Sequence, residues 1–454
     1  MNFTSISSFL SAMHARILNR IQLRNILRNI AWLSFDKIVR LGINVIVGIW
    51  IARYLGPEQF GLLSYAIAFV GLLAPLATFG IESIIVRDVL NESEKQKNTT
   101  LGSAFFLKLL GGVLTVIIAY IAIIVVRTGD QTSLILVLIL SAAAIFQSFD
   151  VIDYWFQSLL KAKYVVIARN FAFIITSVVK IFLIIYKAPL VTFAIISLIE
   201  IVFASLGLAV VYYRNGYRMN VWHVQFKRIR SFLADGWPLV FSSIAVVIYM
   251  KIGQVMIGDM LDNTAAGIYS VAVRLAEVWY FIPTAISASV FPSIIKAQKE
   301  NAAKYKERLQ TYYDLMSGLS IAIAVIMTFV GDTLVVLLFG QQYGEAGPVL
   351  SIYIWASVPV FLGVASNQYL LAENLTKISL YRTAIGGIAS VLLNLLLISY
   401  YGIIGAAWAV LISYMIATFS IVIFRNTREQ SLMLLASLNP IRALRIVIKT
   451  AKTQ

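Results

Sequence analysis

Residues Asn29–Gly61 read NIAWLSFDKIVRLGINVIVGIWIARYLGPEQFG, and the fold follows from that stretch. Residues 29–52 are an apolar run of helical length, and a bilayer core needs about 20 such residues. Asp36, Lys37 and Arg40 interrupt the run. Each charge inside a span costs roughly 2.5–3.5 kcal/mol on insertion scales, so such residues face a protein interior or a wet cavity. Gly56-Pro57 then ends the helix in a short turn.

The rest of the chain has the same character. Its 454 residues are 60% hydrophobic and 13% charged, with a mean hydropathy of +0.86. That composition is polytopic membrane protein. No cysteine is present, which removes disulfides, thiolate metal sites and thiol nucleophiles. With only His14 and His223, a histidine metal cluster is not expected. The net charge of +16 reads as loop charge that sets topology rather than as a nucleic-acid surface. Arg16, Arg20, Arg24 and Arg28 recur at spacing four and mark residues 1–28 as an amphipathic arm on an anionic leaflet.

Twelve apolar spans are expected: 29–52, 60–84, 101–126, 132–157, 164–186, 189–213, 233–257, 265–290, 313–338, 346–371, 378–400 and 403–424. Continuous apolar runs exclude a β-barrel, whose strands alternate. With the N-terminus inside, 26 of the 37 lysines and arginines fall on the cytoplasmic side, three on the other and eight within spans. Both termini are therefore expected in the cytoplasm. The fold class is all-α, with twelve transmembrane helices in two pseudo-symmetric six-helix bundles, 29–213 and 233–424. A basic linker, 214–232, joins them and a basic amphipathic tail, 425–454, follows. In that tail Ile441, Leu444 and Ile448 oppose Arg442, Arg445 and Lys449. The stretch 291–312 reads as a short amphipathic surface helix.

The two bundles carry a weak repeat. A shift of 206 lays Leu55–Ala66 (LGPEQFGLLSYA) on Leu261–Ala272 (LDNTAAGIYSVA), with identities at Leu55/Leu261, Gly61/Gly267, Ser64/Ser270 and Ala66/Ala272. Parallel repeats of this kind place a substrate site between the halves.

The intramembrane charges are the candidate chemistry. Lys108, Arg169 and Arg382 lie near span ends and read as snorkelling to the interface. Lys37, Arg40, Lys180, Lys251 and Arg274 lie deeper and read as lining a cavity for an anion, with phosphate the best match. Lys37, Arg40 and Asn44 share a helix face, and the repeat predicts that Lys37, Arg40, Lys251 and Arg274 converge from both halves. The deep acids Asp36, Asp150, Asp153, Glu200 and Glu277 have two readings. One is proton or sodium coupling, and the other is charge pairing with nearby bases. No phosphate-binding glycine loop, nucleotide fingerprint or zinc-protease motif is present, so no ATP engine, metal or other cofactor is expected.

Three segments carry a family resemblance. ARYLGPEQFG (52–61), AGIYSVAVRLAE (266–277) and LFGQQYGEAGPVLSI (338–352) resemble bacterial polysaccharide-biosynthesis membrane proteins, the Wzx-type O-antigen flippases. The likeness covers residues 25–430. It implies a fold of the MOP superfamily, MATE-like, in the cytoplasmic (inner) membrane of a bacterium. It also implies translocation of an undecaprenyl-diphosphate-linked oligosaccharide, such as an O-antigen repeat unit for lipopolysaccharide, by alternating access. Polysaccharide polymerase machinery is the implied neighbour. The competing readings are a multidrug exporter of the same fold and a membrane polymerase or ligase. The outer loops are too short for a catalytic domain.

Overall fold

The computed structural model describes residues 3–439, with side chains at residue 32 and from residue 35 onward. Among the described residues every regular element is helical. The first half contains α1 (Phe3–Thr78), α2 (Glu82–Asn91), α3 (Glu94–Val126), α4 (Gln131–Phe146), α5 (Asp150–Ser158), α6 (Ala162–Ile185) and α7 (Leu190–Arg214). The second contains α8 (Phe226–Met260), α9 (Asn263–Glu277), α10 (Phe281–Glu300) and α11 (Ala302–Phe339). It continues with α12 (Ala346–Tyr353), α13 (Ser357–Ala372), α14 (Thr376–Phe419) and α15 (Arg428–Ser437).

Ten helical segments among the described residues are long and apolar enough to cross a membrane. The sequence predicts twelve, and the difference sits in two segments. Phe35–Asn91 is 57 residues long and Thr376–Ile423 is 48. Within them α1 and α14 each contain one non-helical residue, Gly56 (φ 72, ψ 171) and Gly402 (φ 57, ψ −138). Gly56 occupies backbone space that is essentially glycine-only. Pro57 follows at a first helical position, where its missing N–H is harmless.

The second half breaks at the equivalent place. Residue 262 is 206 beyond Gly56, and there Asp262 caps α9 by accepting from Ala265 N at 2.7 Å. Both α1 and the α8–α9 pair therefore turn at the same point of the repeat. Three other segments pass through a short 3-10 turn: α4 to α5 at Gln147–Phe149, α9 to α10 at Val278–Tyr280, and α12 to α13 at Ile354–Ala356.

The apolar core differs between the two ends of the molecule. At the end carrying the Gly56 break, one cluster spans both halves and includes Ala52, Phe60, Tyr65, Ala266, Val271, Phe339 and Tyr343. At the opposite end there are two clusters. One, with Ile85, Phe156 and Phe232, belongs to the first half and the start of α8. The other, with Tyr313, Phe361 and Leu434, lies wholly in the second half. The halves thus share a core at one end and part at the other.

One local reading changes, and the linker gains detail. The stretch 291–312 is not a separate surface helix. It is where α10 and α11 meet at Asn301, whose carboxamide caps α11 through Ala303 N at 2.8 Å. The stretch 214–232 is docked onto the first half. Trp222 Nε1 donates to Tyr212 OH at 3.2 Å, and Gln225 N donates to Ser103 Oγ at 3.0 Å. The tail residues Arg442, Arg445 and Lys449 and their apolar neighbours lie outside the described residues.

Candidate functional site

The shared core closes around two glycines. A Cβ on Gly61 would collide with the carbonyl oxygen of Asn263, and a Cβ on Gly267 with that of Pro57. Gly61 and Gly267 are repeat partners, and Pro57 and Asn263 are offset by the same 206. The two helices therefore cross backbone to backbone with two-fold reciprocity, which is direct structural support for the repeat register.

Below this crossing, between the halves, is a cavity of about 360 Å³. Leu41, Asn44, Ser64 and Ile67 line it from α1, Lys251 and Gln254 from α8, and Ser270, Val273, Arg274 and Glu277 from α9. Ser64 and Ser270 are repeat partners, as are Ile67 and Val273, so the cavity straddles the pseudo-axis. Its charges come from one half only. Lys251 corresponds to Val45 of the first half, Arg274 to Ala68 and Glu277 to Gly71.

Arg274 is the centre of this cavity. Its guanidinium lies 5.3 Å from the centroid of the Phe60 ring and fills the space that a side chain on Gly48 would need. Its Nη1 is buried and has no hydrogen-bond partner among the described residues. Lys251 Nζ is 3.4 Å from Glu277 Oε2, and Tyr353 OH donates to Glu277 Oε1 at 3.4 Å. Gln254 Nε2 donates to Ser270 Oγ at 2.6 Å. Two cations thus stand against one carboxylate, and one cationic donor is unused.

The first-half charges form a different site. A second cavity, about 320 Å³, is lined by Asp36, Arg40, Gln147, Asp150, Arg169 and Glu200. Arg40 bonds Asp36 at 2.9 Å and lies over Phe173. Arg169 bridges Asp150 at 2.7 Å and Asp153 at 2.9 Å. Lys108 reaches Asp150 at 3.4 Å and Tyr154 OH at 3.0 Å, and Lys180 bonds Glu200 at 2.9 Å. Four acids and four bases are matched here.

The convergence expected from the repeat is therefore not what the fold builds. Lys251, Arg274 and Glu277 meet, as do Asp36, Arg40, Asp150, Asp153, Lys180 and Glu200, but in separate places. Asn44 parts from Arg40 because α1 turns its neighbouring faces to the two cavities. Lys37 is exposed, lines neither, and makes no ion pair among the described residues.

The bases read as snorkelling are inside the protein. Lys108 is fully buried, Arg169 bridges two carboxylates, and Arg382 donates to Ser366 Oγ and Gly363 O, both at 3.0 Å. Their partners lie on other helices, so spacing within one span gave no sign of them.

One residue of the closed end escaped sequence reasoning altogether. Arg127, at the end of α3, donates to Asp259 Oδ1 at 2.8 Å, Asn263 Oδ1 at 2.9 Å and Gly258 O at 2.5 Å, all in the second half. It stacks 3.7 Å over Tyr65, whose hydroxyl donates to Asp259 Oδ2 at 3.2 Å. Nearby, Tyr343 OH donates to Ala52 O at 2.8 Å and Arg53 Nη2 to Leu337 O at 2.6 Å. At the other end, Arg228 at the start of α8 holds Asp88 at 2.8 Å and Glu92 at 2.6 Å.

Known proteins share this architecture. An inward-facing multidrug resistance MATE family transporter of the MOP superfamily superposes with a TM-score of 0.72. It covers 90% of this chain and 99% of its own, at 18% identity. The lipid II flippase MurJ in an inward closed conformation gives 0.71, over 92% of this chain and 96% of its own, at 15% identity. At such identities the likeness establishes the fold. By sequence, the putative O-antigen transporter of Shigella dysenteriae is 23% identical over 376 residues, 82% of this chain and 92% of that protein. Residues 26–298 match the family described as polysaccharide biosynthesis protein. That is more than half the chain, and this multi-pass membrane protein belongs to that family.

Proposed function

We propose that this chain is a flippase that carries a lipid-linked oligosaccharide across the membrane by alternating access. The observation that carries the reading is Arg274, a buried guanidinium with an unused donor, beside Lys251 in a cavity between two parting halves. Leaving a charged donor unsatisfied costs about 1–3 kcal/mol or more, which a diphosphate would relieve. Family membership and the names of two similar proteins, an O-antigen transporter and a lipid II flippase, support the cargo class. The carrier we propose is undecaprenyl diphosphate, in the cytoplasmic membrane of a bacterium.

The proposed topology has twelve crossings in two six-helix bundles with both termini in the cytoplasm. A 57-residue helical segment is about 85 Å long at 1.5 Å per residue, far more than a hydrocarbon core of about 30 Å. Gly56 and Gly402 divide the two longest segments into two crossings each. The end where the halves part then faces the cytoplasm, with the basic connections, and the Gly61–Gly267 crossing closes the far side.

In the loading step the diphosphate meets Arg274 and Lys251 while the polyprenyl tail stays in lipid. Among the described residues Lys251 is held only by a 3.4 Å contact to Glu277, and it can turn to the ligand. The halves then rock, and the contacts of Arg127 and the glycine crossing open. Asp36, Asp150, Asp153 and Glu200 each have a basic partner, which supports charge pairing as their role. Glu277, the acid in the central cavity, is our candidate for ion coupling. Two bases against one acid do not suit a cationic drug.

The test is binding of undecaprenyl diphosphate to the purified chain in nanodiscs. Arg274→Met and Lys251→Ala should each weaken it about 10–100-fold, the value of one or two charge-assisted hydrogen bonds. Arg274→Met should melt no lower than the parent, because it removes an unpaired buried charge. Parent-level affinity in both variants would sink the reading.

A further inference from the structure

Arg274 and Glu277 stand three apart on α9, and both line the central cavity. Side chains at that spacing start about 5–6 Å apart at Cβ, and opposite charges readily join across it. Elsewhere in this chain they do. Lys97 bonds Glu94 at 2.8 Å, Arg127 reaches Asp130 at 3.4 Å, and Arg40 bonds Asp36, four apart, at 2.9 Å. Arg274 joins no ion pair among the described residues, although an acid of its own helix is one turn away.

The two members of this missing pair are drawn to opposite sides. Arg274 is seated on the first half. Gly48 of α1 leaves the space that its guanidinium fills, and the centroid of the Phe60 ring lies 5.3 Å from it. Phe60 is itself fixed edge-on against Tyr343 inside the shared core, with ring centroids 6.2 Å apart. Glu277 is held by the second half. Its Oε2 faces Lys251 Nζ at 3.4 Å, and its Oε1 accepts from Tyr353 OH at 3.4 Å. Both carboxylate oxygens are thus engaged by other helices.

The two holds on Glu277 differ in kind. Lys251 is a point charge on a flexible stem and can move with the acid. Tyr353 is fixed. Its side chain is buried, its ring packs edge-on against Tyr269 with centroids 6.0 Å apart, and it closes α12 where a 3-10 turn begins. Tyr353 is not among the residues that line the cavity. A Glu277 carboxylate released from it would swing onto Arg274, neutralise the guanidinium and fill its unused donor. The cavity would keep its charges and lose its anion site.

We infer that Tyr353 is a positioning residue for the anion site: by tethering Glu277 it prevents an Arg274–Glu277 ion pair and keeps the guanidinium available to a diphosphate. This rests on the anion-site reading above and adds what stops that site from closing on itself.

The test is equilibrium binding of undecaprenyl diphosphate to the full chain in nanodiscs. Tyr353→Phe keeps the ring and its packing and removes one hydroxyl. It should melt close to the parent and bind the lipid about three- to tenfold more weakly, the size of coupling expected between neighbouring groups. Glu277→Gln removes the competing charge and should bind at least as tightly as the parent. With Glu277→Gln in place, adding Tyr353→Phe should have no further effect. Loss of the same factor in both backgrounds would make Tyr353 a packing residue and overturn the inference, and so would parent-level affinity in Tyr353→Phe. Arg274→Met separates the two readings. If it weakens binding while Tyr353→Phe does not, the anion site stands and the tether falls. If Arg274→Met binds as the parent does, the anion site is not at Arg274, and the tether falls with it.

Discussion

Asp150 holds two cations, Lys108 and Arg169, and the three are not equally replaceable. Removing the acid leaves Lys108, which has no exposed surface, with only the Tyr154 hydroxyl. Removing the lysine leaves Asp150 still paired with Arg169. Breaking a buried pair from the side that strands a charge costs about 3–5 kcal/mol. Asp150→Asn should therefore lower the melting temperature in detergent far more than Lys108→Met does. A larger loss from Lys108→Met would contradict this ranking. The depth of these charges was legible in the sequence, since each interrupts an apolar run. Their partners were not: Lys108 and Asp150 are 42 positions apart, and Arg169 and Asp150 are 19 apart. Arg382 is a plainer case, because its partners are a serine hydroxyl and a backbone carbonyl, neither of which carries a charge signal.

Three helices here are interrupted beside the intramembrane charges or their partners. The 3-10 turn at Gln147–Phe149 leads into Asp150, the one at Val278–Tyr280 follows Glu277, and the one at Ile354–Ala356 follows Tyr353. A mid-helix 3-10 stretch re-aims the side chains on either side of it and often marks a hinge. None of the three contains glycine or proline, so nothing in the local sequence announces them. The Gly56 break is the opposite case, because Gly-Pro at the end of an apolar run is a strong stop signal. Its backbone sits in glycine-only space, so Gly56→Ala should cost about 1–3 kcal/mol. Gly42, in the same helix, has open space where a Cβ would go, and Gly42→Ala should be neutral or stabilising by about 0.5–1 kcal/mol. Thermal melts of the two variants side by side check the contrast, and a lower melt for Gly42→Ala would refute it.

On the scale of the whole molecule, one core joins the halves at the closed end and two cores hold them apart at the other. The all-helical membrane-spanning plan and the repeat were readable because apolar length and a shift of 206 are properties of sequence. Which end is closed was not readable, because it depends on cross-half contacts such as Arg127 with Asp259. That contact should bias the equilibrium between closed and open. With no native cysteine, Thr128→Cys and Gln341→Cys can carry spin labels across the closed end without background labelling. Arg127→Ala should add a longer distance to the distribution, and the exchange Arg127→Asp with Asp259→Arg should restore the short one. An unchanged distribution in Arg127→Ala would show that the shared core, the glycine crossing and the Tyr343 and Arg53 contacts close this end without Arg127. That crossing also speaks to ancestry. In a symmetric pair of identical half-length chains, one glycine on the two-fold axis would face its own copy, as in any isologous contact. Gly61 and Gly267 still meet in that way, each under the other's backbone, after Lys251, Arg274 and Glu277 have come to differ from Val45, Ala68 and Gly71. The halves share the residue at which they touch and differ where Lys251, Arg274 and Glu277 line the cavity, so the two-fold relation holds at the crossing and fails just below it.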